Sequence, residues 1–120
     1  MQIKVMPFLS KKGNRVGKGA IEFDANDGPL AGFQLVGFTI CDDKDKGLYV
    51  MFPSSIVRQQ DESTKLYYFL RPVNRPDGDN LLDKLQDAIL DVYESMSSAT
   101  FSNKPRMTVK SAPKPAQAEV

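Results

Sequence analysis

Between Leu81 and Met96 the apolar residues fall at helical spacing. Leu81, Leu82, Leu85, Ala88, Ile89, Val92, Tyr93 and Met96 share one side, and Asp83, Lys84, Asp87, Asp91 and Glu94 take the solvent side. Asp79 or Asn80 is placed to accept from the free N–H groups of the first turn, and Asp83 lies near the positive end of the helix dipole. A stripe this wide has to be buried, and one helix cannot bury it alone. The rest of the chain must therefore offer an apolar face to it.

The remaining periodicity points to a sheet. Ile3 and Val5 alternate with Lys4 and Met6 up to Pro7, which a strand tolerates at its end or on an edge. Ser10 to Asn14 reads as a loop, and Arg15 to Phe23 resumes the alternation, giving a hairpin. Asp24 to Pro29 collects turn residues. Leu30 to Ile40 is rich in β-branched and aromatic residues, with Gly32 and Gly37 at positions suited to a bulge or a close backbone approach. A charged turn, Asp42 to Gly47, leads into an apolar strand from Leu48 to Phe52 that Pro53 stops. Residues 54 to 64 are mostly polar and read as a surface loop of the kind that often carries function. Lys65 to Leu70 returns to strand composition, and Arg71 to Gly78, with two prolines and a glycine, forms a rigid connection to the helix. The expected class is α+β: an antiparallel sheet of about five strands with one C-terminal amphipathic helix, then a disordered tail.

The tail is residues 97 to 120, where Ser, Thr, Asn, Pro, Ala and Lys predominate and Phe101, Met107 and Val109 are scattered. That composition does not offset the entropy of ordering, so the folded unit is expected at 1–96, followed by a flexible basic tail carrying Lys104, Arg106, Lys110 and Lys114 against Glu119. A chain of 120 residues has room for one domain. The one cysteine, Cys41, excludes an intrachain disulfide and fits a reducing, cytoplasmic setting as a structural thiol. No apolar run is long enough for a signal peptide or a membrane span.

Candidate chemistry is sparse. The chain has no histidine, hence neither the usual neutral-pH base nor the commonest metal ligand, and Cys41 has no imidazole to activate it. Asp42, Asp43 and Asp45 lack the spacing of a calcium loop, and Gly13, Gly17 and Gly19 precede a strand rather than a helix, unlike a phosphate loop. Asp83, Asp87 and Asp91, every fourth residue of the helix, read as a solvated face. Tyr49, Tyr67, Tyr68 and Phe69 lie on strands and read as packing rather than as a platform for bases. The residues call for no cofactor or metal and argue against an enzyme.

Three motifs stand in order: Gly47-Leu48-Tyr49-Val50-Met51-Phe52-Pro53-Ser54, then Arg71-Pro72-Val73-Asn74, then Lys84-Leu85-Gln86-Asp87-Ala88-Ile89-Leu90 followed by Tyr93. They resemble, in turn, the Gly-Leu-Phe-Val-x-Met-Pro-Ser strand, the His-Pro-Ile-Asn and the Lys-Ile-Gln-Asp-Ala-Val-Leu with tyrosine of the SpoVG (stage V sporulation protein G, septation regulator) family. The similarity spans roughly residues 1 to 96. It implies a homodimer, formed through a sheet edge, that binds DNA or RNA as a regulator of septation, sporulation or virulence genes.

Charge suggests where such a partner would sit. The net charge is only +1, but residues 1 to 18 carry five cations and no acid, whereas 19 to 57 are acidic. The residues expected on phosphates are Lys11, Lys12, Arg15 and Lys18 of the first hairpin, together with Arg58, Arg71, Arg75 and the tail lysines. The alternative is a non-catalytic protein-interaction or assembly factor that uses a sheet edge or the 54 to 64 segment.

Overall fold

The computed structural model describes residues 1–73, 76, 78–96, 105–109 and 111–112. They form four antiparallel strands in the order β1 (Gln2–Lys12), β2 (Arg15–Glu22), β3 (Gln34–Asp43) and β4 (Gly47–Met51). A separate two-stranded ribbon pairs β5 (Ser54–Arg58) with β6 (Thr64–Tyr68), and the helix α1 spans Gly78–Met96. The class is α+β, with six strands in two sheets among the described residues. No helix among the described residues is long and apolar enough to cross a membrane.

The pleat sorts the strands. Ile3 and Val5 pair with Ile21 and Gly19 on the face that α1 covers, and Phe38, Ile40, Leu48 and Val50 continue that face across β3 and β4. The helix packs on β1 and β4 and inserts Ile89 and Leu90, both essentially without exposed surface. Leu90 widens the apolar stripe beyond the residues picked out by spacing. Asp79 and Asn80 fall inside the helix, which starts at Gly78, rather than ahead of it.

Two expectations are corrected. Ser10 to Lys12 belong to β1, because the reversal needs only Gly13 and Asn14: Lys12 pairs directly with Arg15, and Gly13 adopts a positive φ of 61°. Residues 54 to 58 are a strand rather than the start of a long loop. Their register, Ser54 opposite Tyr68 and Arg58 opposite Thr64, is closed by a turn in which the Asp61 carboxylate accepts from the Ser63 N–H and hydroxyl. The ribbon stands outside the main sheet and needs no apolar alternation, so its composition looks like a loop.

Of the expected tail, residues 97 to 104, 110 and 113 to 120 lie outside the described residues. Its described part, residues 105 to 109 and 111 to 112, is docked along the outer edge of β4. The Leu48 N–H donates to the Pro105 carbonyl and the Met107 N–H to the Leu48 carbonyl, so the segment runs parallel to β4. Met107 and Val109 are 6% and 7% exposed, and these two apolar anchors provide the burial that composition averaged over the whole segment conceals. Gly47 lets the segment approach: its φ is 103°, and a Cβ there would run into the Pro105 carbonyl.

The helical carboxylates hold this segment in place instead of facing only solvent. The Arg106 guanidinium donates to Asp87 at 3.2 Å and to Asp91 and Glu94 at 2.9 Å each, and the Val109 N–H donates to Asp83 at 2.7 Å. Burial works against the Arg106 charge, but the hydrogen bonds to Glu94, Asp91 and Asp87 outweigh it and hold the group more basic than usual. Between the layers lies Gln86, the one fully buried polar side chain among the described residues. Its carbonyl oxygen accepts from the Val50 N–H and its amide donates to the Met107 carbonyl, tying β4 to the added segment.

Candidate nucleic-acid interface

Residues that alternate with the core point to the opposite face of the four-stranded sheet. In β1 these are Lys4, Met6 and Phe8; in β2, Lys18 and Ala20; in β3, Gln34, Val36 and Thr39. Among the described residues no helix packs on this side, and the face forms a recess of about 840 Å³. Among the described residues four cations line it, Lys4, Lys12, Arg15 and Lys18, and no carboxylate does. All four are exposed, so their charges stand at the rim in water while the backbone fixes where each emerges.

The floor is apolar. Met6 and Val36 are each 56% exposed, and Phe8 is half-buried with the Lys12 ammonium 5.5 Å from its ring centroid. Val36 reaches this face because β3 carries a bulge. The ladder sets Gly19 opposite Phe38 but Ala20 opposite Val36, leaving Gly37 as the extra residue at a φ of 101°. Unbroken alternation would put Val36 on the core side with Phe38 and Ile40; the bulge turns it out and turns Leu35 in against the core.

At the β4 end of the same face the recess gives way to a closed cluster. Cys41 and Tyr49 are cross-strand partners, and Met107 and Ala112 of the docked segment pack on them. Burial pushes the Cys41 thiol up from its ordinary range, against the hydrogen bond from Tyr49. Burial also drives the Tyr49 hydroxyl up to about 12, with Cys41 adding to the effect.

The residues expected on phosphates do not form one set. Lys12, Arg15 and Lys18 share the recess, and Lys4, which was not singled out, joins them because residues 4 and 18 fall on one face once the hairpin register is known. Lys11 points away, into a smaller depression with Asp42, Asp43 and Asp45. Arg58 lies on the two-stranded ribbon, paired with Glu62 at 3.6 Å, and Arg71 is exposed beyond β6; neither lines the recess. Arg75 and the tail lysines 104, 110 and 114 lie outside the described residues. Of the strand aromatics, Tyr49 is buried, Tyr68 packs against the core, Tyr67 lies under Lys65, and Phe69 is exposed. The Asp43 carboxylate closes its own turn by accepting from the Asp45 and Lys46 N–H groups. Comparison with protein-family models, with curated proteins and with solved structures gave no match for this chain.

Proposed function

We propose that this chain is a nucleic-acid-binding protein that takes the phosphate backbone on the open face of its four-stranded sheet. The observation that carries the reading is the recess lined by Lys4, Lys12, Arg15 and Lys18 without a carboxylate, in a chain whose net charge is only +1. Cations collected on one face create a local positive potential that the neutral total hides. Phosphate contacts of this kind fix position and affinity and carry little sequence information, which suits a regulator of the type the SpoVG resemblance implies. Binding to a labelled oligonucleotide is expected to weaken with salt, with a log–log slope of about −3 for four phosphate contacts. The Lys12→Glu/Lys18→Glu variant should lose most of the affinity and flatten the slope. Absence of a complex at tens of micromolar protein in low salt would sink the reading.

The same reading takes the working form as a homodimer joined through β1. Among the described residues β1 has a strand partner on one side only, and Leu9 stands fully exposed on it. Two copies pairing along this edge would satisfy its free N–H and C=O groups and extend the open face. Light scattering should give twice the chain mass, and Leu9→Lys should shift it toward one; a concentration-independent monomer would refute the dimer.

A further inference from the structure

We infer that the polynucleotide this face takes is single-stranded, with its bases on the apolar floor and its phosphates at the cationic rim. The inference rests on the nucleic-acid reading above and deepens it. A duplex keeps its bases stacked inside and presents phosphates and groove edges, so it would engage the rim and leave Met6 and Val36 in water. A single strand has free base faces, which stack on or lie against apolar and aromatic side chains without regard to sequence.

The floor is constructed. Val36 is exposed because the Gly37 bulge inverts the alternation of β3, so an apolar side chain that regular pairing would bury is held out among the cations. Met6 stands opposite Lys18 in the ladder, which sets an apolar group and a cation side by side, as a base and its phosphate require. Lys12 over the Phe8 ring repeats the pairing at the end of the recess. Charge complementarity selects a polyanion, and the exposed apolar groups between the charges select one whose bases are free.

The test is fluorescence anisotropy of the full chain with one labelled strand of about 20 nucleotides, as deoxythymidine and as uridine oligomers, alone and annealed to the complement at the same salt. The single strands are expected to bind at least about ten-fold tighter than the duplexes. Met6→Ala/Val36→Ser should cost the single strand about ten-fold and leave the duplex unchanged, with the thermal midpoint confirming an intact fold. Lys18→Glu should weaken both forms. Equal affinity for the two forms, or an equal loss in both from the floor variant, overturns the single-strand inference and leaves the nucleic-acid reading standing. Binding of neither form overturns both.

Discussion

The two faces of the four-stranded sheet come from alternate residues of the same strands and have opposite fates. On one, Ile3, Val5, Ile21, Phe38, Ile40 and Val50 meet the stripe of α1 and leave water. On the other, Lys4, Met6, Lys18, Ala20, Val36 and Thr39 have no covering element among the described residues, and four cations surround an apolar floor. Burial follows from what the helix covers, more than from the hydrophobicity of a given residue: Val36 and Val50 are the same amino acid at 56% and 2% exposure. The difference separates positions that hold the fold from positions free to serve a ligand.

The largest effect is expected from truncating one β-branched side chain on each face. Ile40→Ala, at a site with no exposed surface, should cost about 3 kcal/mol through lost burial and a residual cavity, and Val36→Ala should stay within about 0.5 kcal/mol. Chemical denaturation reads both, and similar losses would show that the recess is closed in solution.

A second test concerns the element that closes the β4 end of the open face. Gln86→Leu leaves the Val50 N–H and the Met107 carbonyl without their partner and should cost about 2 kcal/mol. Arg106→Ala should cost about 1 kcal/mol, since Asp87 and Asp91 are largely exposed and their ion pairs are screened. Both variants loosen Met107 from Cys41, so the modification rate of this single thiol should rise in the same order. An unchanged rate in both would show that the docked segment does not shield it.

The smallest effect is a pH dependence. Tyr49 is raised from about 10 to about 12 in the folded protein, chiefly by burial, so the fold favours its neutral form. Its contribution is complete below pH of about 10 and is lost as pH rises toward about 12. The thermal midpoint should fall between about pH 10 and about 12, and fall less in Tyr49→Phe. An equal fall in the variant would assign the alkaline limb to other groups.

Much of this division was legible in the residues. The helix from 81 to 96 announced itself because an amphipathic stripe is a local property, and the strands of the main sheet followed from alternation. Lys12, Arg15 and Lys18 were visible as a cluster because they are close in sequence. Lys4 was not joined to them, since the hairpin register that brings residue 4 beside residue 18 depends on the two-residue turn at Gly13 and Asn14. Arg106 was read as part of a free tail, and Asp83, Asp87 and Asp91 as solvated, because each is unremarkable until the other is present. Gln86, polar in the middle of a helix, gave no sign that it would be buried between two backbone segments.

The class follows from local pattern alone: a helical stripe and a set of alternating strands have one economical way to hide their apolar sides, and that is to pack on each other. Which cations share a face, the Gly37 bulge that turns Val36 outward, and the addition of residues 105 to 109 along the edge of β4 emerge only when the chain is folded. Those features depend on register and on pairings between distant segments. A one-residue change of register exchanges the two faces of a strand, and no local pattern encodes it.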